Sequence, residues 1–353
     1  MTTTLEAARP AEQELSVWQI DEDGFPSEGT DDWKLAWMVR WAVLAPSGHN
    51  AQPWVFRIED GTLDLYADRT RALPVVDPHD REMTISCGAA LFHLWLALRH
   101  FGYAGDVEVL PEIGNVDLLA RVRLGELRAP TAEEELLFAQ IRQRHTHRGP
   151  FEPRPLPPRL IAALQAAAAE EGAWLHVLEG DKIRDAVAGL IAEGDRRQWA
   201  DPAFRRELAA WTHPNRSHSH DGIPSYAMGM GNAASLASPL IVRTFDLGRG
   251  QAARDRKLAD GSPLLAVLGT DENDPLAWLE AGEALARVLL RARRDGVWAS
   301  FLNQPIEVPG LRPELRQAIG RGGHPQLLLR LGFSDDEPRP TPRRAAAEVV
   351  WMR

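Results

Sequence analysis

Two hydrophobic periods alternate along this chain, and each change of period marks a new element. Apolar residues recur every three or four positions over residues 33–44, which predicts an amphipathic helix capped by Asp31 or Asp32. Residues 55–58 and 63–66 instead flank an Asp-Gly turn and predict a β-hairpin, and the second arm alternates strictly. Helix and strand patterns are therefore interleaved, as in an α+β fold.

Two long segments, residues 84–103 and 278–298, are apolar on most sides and predict buried central helices. They share a spacing, in which Gly88, Ala90, Leu91 and Gly102 are answered by Gly282, Ala284, Leu285 and Gly296. Strand patterns follow at residues 107–110 in one part and occur at residues 264–268 in the other. This internal repeat predicts two tandem, pseudo-symmetric α+β halves that pack as an intramolecular pseudo-dimer.

The polar segments divide the chain further. We expect an N-terminal arm over residues 1–30, a first half over residues 31–130 and a second half over residues 131–353, because Thr131 begins a capping-box pattern. Within the second half, residues 195–261 are polar and rich in Gly, Met and Ser, apart from a strand pattern at residues 240–245. We interpret this excursion as a lid.

Composition excludes several classes of function. The chain has 353 residues, 44% of them hydrophobic, and a formal net charge of -10, which argues against a nucleic-acid partner. No apolar run is long enough for a membrane span, and residues 1–15 lack the apolar core of a signal peptide. Cys87 is the only cysteine and falls in a buried helix pattern, so a core role and a reducing, cytoplasmic location are expected.

Two polar motifs carry candidate chemistry. The loop over residues 44–54 offers Ser47, His49 and Asn50 as hydrogen-bonding groups between two prolines, although it also reads as a plain helix-to-strand connection. In the segment RHTHR, Arg144, Thr146 and Arg148 occupy alternate positions and would face one way in an extended chain. Two guanidinium groups around a hydroxyl suit a phosphate monoester, and a solvated basic patch is the alternative.

Four motifs together resemble the nitroreductase-like FMN flavoprotein superfamily, in particular its Acg-like branch, in which two nitroreductase-like halves are fused in one chain. They are APSGHNAQPW, RHTHRGPF, FLNQPIEVP and TPRRAAAEVV. The resemblance covers the chain from about residue 20 and implies a nitroreductase-like fold. The first half lacks an RHTHR-like segment and the second lacks a PSGHN loop, so complementary halves would build one site for one FMN.

The resemblance also implies roles for individual residues. Pro46, Ser47, Gly48 and Asn50 would contact the isoalloxazine, while Arg144, His145, Thr146 and Arg148 would hold the phosphate, together with Arg343 or Arg344, of which Arg344 is the preferred candidate. Backbone donors at Leu302, Asn303 and Gln304 would reach the flavin ring, and Arg196 would meet its pyrimidine edge. His49 is a candidate to face the substrate, and His147 stands where relatives tend to have Asn.

The function implied is an FMN-dependent oxidoreductase that transfers electrons from NAD(P)H to a nitroaromatic or quinone-like acceptor. No side chain is expected to act as a catalytic group, because the flavin carries the hydride chemistry. One alternative is an FMN-sequestering protein in which residues 211–236 close the site, and another is a scaffold without flavin. His213, His218 and His220 lack companion ligands, so no metal is expected. Self-association beyond the pseudo-dimer is left open.

Overall fold

A computed structural model describes residues 16–353 and shows helices interleaved with three sheets. In chain order the helices are α1 (Asp31–Ala42), α2 (Arg81–His100), α3 (Ala132–Phe138), α4 (Pro158–Ala169), α5 (Asp181–Ala200), α6 (Pro202–Ala210), α7 (Asn232–Ser235), α8 (Ser238–Thr244), α9 (Gly248–Asp260), α10 (Pro275–Arg294), α11 (Gln304–Glu307), α12 (Arg312–Ile319) and α13 (Ala346–Val349). The strands are β1 (Trp54–Glu59), β2 (Thr62–Ala67), β3 (Asp106–Val109), β4 (Leu118–Arg123), β5 (Trp174–Val177), β6 (Thr212–His213), β7 (Ile223–Pro224), β8 (Leu264–Thr270), β9 (Trp298–Phe301), β10 (His324–Gly332) and β11 (Val350–Met352). The α+β class is confirmed.

The first sheet has the order β11-β1-β2-β4-β3. Its predicted hairpin forms between β1 and β2, with Asp60 and Gly61 at positive φ in the turn. The chain returns to this sheet at its far end, where Phe56 of β1 pairs in parallel with Val350 of β11. The basic segment near residue 343 is thereby fixed beside the first sheet, because the strand that follows it is hydrogen-bonded there.

The second sheet is antiparallel, with the order β5-β8-β10-β9. Every residue of β8 is buried, so this sheet is covered on both faces. Leu264, Ala266 and Leu329 belong to a core shared with α4 and α10, whereas Leu265 and Leu328 belong to a core shared with α5 and α12. A sheet buried on both faces needs an uninterrupted apolar strand, which is why β8 shows no alternation.

The two central helices, α2 and α10, touch through glycine. A Cβ atom added at Gly88 would overlap the carbonyl oxygen of Leu279, and one added at Gly282 would overlap that of Ile85. Side chains are excluded from this crossing, so the backbones approach closely. The paired glycines therefore join the part of the fold around the first sheet to that around the second. The division at residue 130 and the duplication stay predictions.

Three local predictions are wrong. Residues 240–245 lie largely in helix α8 and not in a strand, because this apolar stretch packs one face at Val242 and leaves Leu240 exposed. Helix α1 is capped by Thr30, whose Oγ1 accepts from the N–H of Trp33, so Asp31 lies inside the first turn. The sequence pattern predicts a helix over residues 182–191 that ends before Arg196, but helix α5 continues to residue 200 and contains this residue. Of the predicted arm, residues 1–15 fall outside the described residues.

Candidate functional site

The loop after α1 holds a strained backbone. His49, Asn50 and Gln52 have φ of 49°, 55° and 53°, a left-handed region that residues other than glycine rarely adopt. The N–H of Gly48 donates to Oγ of Ser86 in α2 at 3.3 Å. Strain of this kind persists only where surrounding contacts enforce it, and it is commonest at ligand sites. The central helix therefore helps to hold the loop in this conformation.

The other loop residues are fixed too. Pro46 is buried, and Oγ of Ser47 accepts from the N–H of Gln52 at 3.0 Å. The Asn50 side chain acts as both a donor and an acceptor. Its amide donates to the carbonyl of Pro342 at 3.0 Å, and its Oδ1 accepts from Arg343 at 2.7 Å. The loop and the segment near residue 343 thus form one hydrogen-bonded unit.

The RHTHR segment approaches from the second sheet. Thr146 forms an isolated parallel bridge with Ala299 of β9, and the N–H of His147 donates to the carbonyl of Ala299 at 3.0 Å. From this edge Arg144 reaches the chain after α1, where it donates to the carbonyl of Leu44 at 3.1 Å. The structure therefore brings together two predicted motifs that lie about 100 positions apart in the sequence.

Three arginines lie close together at this junction, and we call Arg144, Arg148 and Arg343 the arginine cluster and the surface between them the recess. Burial, then the Arg144 charge and to a smaller extent the Arg148 charge lower the pKa of Arg343 to about 9, against the effect of Tyr226. Arg144 has a pKa lowered by burial to about 10. Within residues 16–353 none of the three forms an ion pair, and the buried Nε atoms of Arg144 and Arg343 have no hydrogen-bond partner.

Arg148 differs from the other two because its side chain is exposed. The surrounding protein nevertheless lowers its pKa, as desolvation does for a charge in the wall of a deep opening. His49 lies close by, since burial and then the Arg148 charge lower the pKa of this histidine to about 4. The neutral imidazole has a buried Nε2 without a partner. A cationic recess with unused hydrogen-bond donors, one of them exposed to solvent, can accept an anion.

An unpredicted residue, Trp18, closes one side of the cluster. Its indole lies 4.6 Å from the His145 ring, edge to face, and 5.0 Å from the Arg343 guanidinium. Its Nε1 donates to the carbonyl of Thr341 at 3.0 Å. The burial that results lowers the pKa of His145 to about 3, with help from Arg144 and Arg343, so this imidazole is neutral at pH 7. Nothing in the sequence around Trp18 pointed to the site.

Several predicted residues lie differently from expectation. Arg344 turns away from the cluster, because its N–H donates to Oε1 of Gln52 at 2.8 Å and its guanidinium lies 4.0 Å from Asp68. The contacts thus favour Arg343, and not Arg344, as the second arm. Arg196 is exposed and forms an ion pair with Glu193 at 2.8 Å, so its guanidinium group is engaged within α5.

The segment after β9 is used largely for packing. The N–H of Leu302 donates to the carbonyl of Leu328, which removes it from the set of free donors. Oδ1 of Asn303 accepts the N–H of the same residue at 2.9 Å. The Gln304 amide donates to Asp195 at 3.2 Å and to Asp255 at 2.8 Å. Leu302 therefore cannot serve as the backbone donor that the sequence predicted.

Buried carboxyl groups border the loop from the other side. Glu82, in the first turn of α2, has an oxygen that would lie 3.6 Å from a Cβ atom placed on Gly48. Burial and then the charge of Glu307 raise its pKa to about 8, against the pull of Arg81. Its Oε1 also accepts from Nη2 of Arg81 at 2.7 Å, so Glu82 is a buried, partnered carboxyl group with a raised pKa. Its position resembles that of an ordinary first-turn acid, so no sequence pattern pointed to it.

The segment over residues 211–236, which we call the lid, rests directly on the loop. Its Gly222 N–H donates to the Asn50 carbonyl at 3.1 Å, the Asn50 amide donates back to the Gly222 carbonyl at 2.9 Å, and the Gln52 amide donates to the His220 carbonyl at 2.9 Å. Asp221 forms an ion pair with Arg71. Neither this histidine-rich segment nor any other part of residues 16–353 holds a cluster of metal-binding side chains.

The α+β fold thus places a cationic recess beside a strained loop, an arrangement that suits an anionic ligand. The family to which the chain belongs is identified by its sequence relatives. From Mycobacterium tuberculosis (strain ATCC 25618 / H37Rv), the protein named "Putative NAD(P)H nitroreductase Rv3131" is 33% identical over 314 residues, 88% of either chain. "Uncharacterized protein Rv3127" is 33% identical over 334 residues, 90% of this chain and 93% of that one. "Putative NAD(P)H nitroreductase acg" is 30% identical over 318 residues, 89% and 94%.

The chain therefore belongs to the nitroreductase-like family, in the branch that includes Acg, as its motifs predicted. No protein-family model matches it. The solved structure of the FMN- and NADPH-dependent nitroreductase NfnB from sphigopyxis sp. strain HMH aligns with a TM-score of 0.41 at 17% identity, over 62% of this chain and 98% of that one. A similarity of this size adds nothing to the family assignment. Among the described residues, no helix has the length and hydropathy to cross a bilayer.

Proposed function

We propose that this protein is an FMN-dependent oxidoreductase of the nitroreductase type, which takes electrons from NAD(P)H and passes them to an electron-poor acceptor such as a nitroaromatic or a quinone. The observation that carries the proposal is the arginine cluster, whose three guanidinium groups lie close together without a carboxylate partner in residues 16–353. Like charges gathered in a partly buried site are unfavourable unless an anion joins them. A phosphate monoester is such an anion.

The surrounding residues fit the rest of FMN. Arg144, Arg148 and Arg343 would hold the phosphate beside Thr146, and the strained loop from Pro46 to Asn50 would line the flavin ring. Arg330 offers further hydrogen-bond donors nearby. It is fully buried and donates to the His147 carbonyl at 3.0 Å, while its Nε and Nη1 have no partner. Unused buried donors of this kind match a ligand rich in carbonyl and hydroxyl oxygens.

The chain's own groups would support turnover by binding and by proton supply. FMN, when bound, supplies a ring that accepts and releases hydride. Glu82, whose pKa burial raises, borders Gly48 and is placed to supply a proton where negative charge develops. The names of the relatives Rv3131 and acg support NAD(P)H as the electron donor.

A second candidate, FMN sequestration, is favoured by the lid. Its hydrogen bonds to Asn50 and Gln52 and its ion pair from Asp221 to Arg71 cover the same loop that would line the flavin. A lid that stayed in this position would bar substrates from the ring. The two candidates share the cofactor and differ in whether nicotinamides reduce it.

The cofactor is tested with Arg148→Met, because Arg148 is exposed and makes no ion pair in the described chain, so its loss should leave the fold intact. Removal of one charge-assisted phosphate contact is expected to weaken FMN binding by about tenfold to a hundredfold. Arg154→Met is the matched control, since Arg154 is also exposed and lies six positions further along. Equal FMN affinity in both variants, measured by fluorescence titration of flavin-free protein, would contradict the proposed phosphate site.

Electron transfer is tested by anaerobic stopped-flow absorbance of the flavin band with NADH and with NADPH. Bleaching by either nicotinamide, followed by recovery with a quinone or a nitroaromatic, is the result expected of the oxidoreductase. A flavin that dithionite bleaches and nicotinamides do not would establish the sequestering protein instead. A protein that neither contains nor takes up FMN would refute both candidates.

A further inference from the structure

A second cavity, of about 750 Å³, lies outside the arginine cluster. It is bordered by the segment that precedes α2, by α11 and α12, and by the beginnings of α10 and β10, and its lining includes Asp77, Arg81, Trp278, Glu307, Arg312 and Arg316. Sites for small molecules and cofactors usually measure about 300–1,000 Å³. The cavity is therefore large enough for a nucleotide-sized ligand, and neither the family assignment nor the flavin site gives it a role.

One end of the cavity is cationic and preorganised. Arg312 is held by neutral acceptors only, because its Nε donates to the Pro325 carbonyl at 2.8 Å and its Nη2 donates to Asn273 at 2.8 Å and to Gln326 at 2.9 Å. Arg316 lies one turn further along α12 and is exposed. In residues 16–353 neither arginine has an ion pair.

The two guanidinium groups are close enough to act together. Burial lowers the pKa of His324, and Arg312 and Arg316 both lower it further, which places the two charges around the same imidazole. Burial and then the Arg81 charge lower the pKa of Arg312 to about 10. An anion at this end would relieve the repulsion between these cations.

Two carboxyl groups, Asp77 and Glu307, also line the cavity. Glu307 is half-buried and accepts from Nε2 of Gln198 at 2.5 Å, and Asp77 accepts the N–H of Met83 at 2.9 Å. Nη2 of Arg81, in the same lining, donates to Oε1 of Glu82 at 2.7 Å, and Glu82 borders Gly48. The apolar part of the lining is formed by Trp278 and Ile306 together with Pro309, Pro313 and Pro325. The Arg81–Glu82 pair therefore lies between this cavity and the loop that would line the flavin.

We propose that this cavity binds the phosphate-bearing part of the nicotinamide dinucleotide, with Arg312 and Arg316 on the pyrophosphate and the nicotinamide end directed past Glu307 toward residues 46–50. The inference rests on the proposed function and names where its electron donor binds. The carboxyl oxygens of Asp77 and Glu307 suit a carboxamide, which donates hydrogen bonds.

The test uses the FMN-containing full-length protein and the charge reversal Arg316→Glu, which alters an exposed side chain without an ion pair in the described chain. The KM for the reduced nicotinamide should rise at least about tenfold, with kcat and the KM for the acceptor changed less than about twofold. Arg159→Glu, an exposed arginine on α4, is the matched control and should match the wild type.

ADP is a direct probe of the same end of the cavity. Calorimetry should detect ADP binding to the wild type and to the Arg159→Glu variant, and binding to Arg316→Glu should be at least about tenfold weaker. An unchanged nicotinamide KM in a fully reducible Arg316→Glu flavoprotein would overturn this inference alone, as would a rise in the KM for the acceptor instead. A flavoprotein that no nicotinamide reduces would overturn both this inference and the proposed oxidoreductase.

Discussion

Individual residues in this site are informative through the partners that they lack. Arg144 and Arg343 are buried, charged and each left with an unpartnered Nε, while Arg148 is exposed and has no ion pair in residues 16–353. Buried polar groups without partners are rare in folded proteins, and several in one place point to a missing ligand. The cluster therefore identifies the site more sharply than the motif that contains two of its members.

The pKa of His49 provides a residue-scale prediction. Burial is the larger cause of its fall to about 4 and the Arg148 charge is the smaller. In flavin-free Arg148→Met the pKa should therefore rise, yet stay below the ordinary value of about 6.5. Histidine NMR titration measures it, with Arg154→Met as the control. A His49 pKa that did not move would mean that Arg148 and His49 do not share the recess.

Candidate binding residues could be predicted from the sequence where their type and spacing form a motif. Residues that reach the site only because distant segments fold together were missed. Arg144, Thr146 and Arg148 form a recognisable pattern, and so does the loop around Ser47. Trp18 and Glu82 belong to no pattern, because their roles come from chain segments distant in sequence that fold against them. The choice between Arg343 and Arg344 could not be made from two adjacent identical residues either.

Among the elements, the crossing of α2 and α10 gives the sharpest prediction. In Gly88→Ala the new methyl group would meet the Leu279 backbone, which cannot move aside as a side chain can. We expect a loss of at least about 2 kcal/mol in the free energy of unfolding, measured with urea. Gly189→Ala is the control, because open space surrounds that helical glycine and the variant should be neutral or up to about 1 kcal/mol more stable.

The lid gives a second prediction at this scale. Burial disfavours the Asp221 charge, but the hydrogen bonds from His213 and Ser219 and the charge of Arg71 outweigh it and lower the pKa. Asp221→Asn removes these charge contacts, so trypsin should cleave after the exposed Arg216 several times faster, about tenfold at most. Asp185→Asn is the control, because Asp185 is exposed and lies 3.6 Å from Arg256 in a solvent-exposed ion pair, and it should leave the rate unchanged. A rate unaffected by Asp221→Asn would show that other contacts hold the lid.

Long apolar elements were predictable from sequence, and short amphipathic ones were not. Helices α2 and α10 and strand β8 follow from runs whose period leaves little choice. Residues 240–245 are equally apolar but too short for the period to decide between helix and strand, and packing at Val242 decided it. The return of β11 to the first sheet is a long-range pairing that no local pattern encodes.

For the whole molecule, the balance of buried charges predicts how stability depends on pH. Burial, and then the neighbouring Glu171 and Glu280, raise the pKa of Glu283 to about 8 despite Arg287. A carboxyl group whose pKa is raised in the folded protein destabilises that protein as the pH rises from about 4.5 toward 8. In this range the unfolded chain releases the proton while the folded protein keeps it, so ionisation favours unfolding. Glu283→Gln should therefore raise the Tm at about pH 9 and leave it nearly unchanged at about pH 4.

Calorimetry at several pH values measures that difference. Glu314→Gln, at an exposed position on α12, is the control and should give the same small effect at every pH. A Tm gain for Glu283→Gln that is equal at both extremes would indicate a change in packing and not the loss of a buried charge.

The hydrogen bond from Arg343 to Asn50 spans 293 positions of the chain. A contact of such sequence separation closes only after most of the intervening chain is ordered, because each loop that it encloses carries an entropic cost. We therefore expect the site to be completed late in folding. A ligand bound there would report on the integrity of both chain segments that build the site, and it would be released when either segment unfolds.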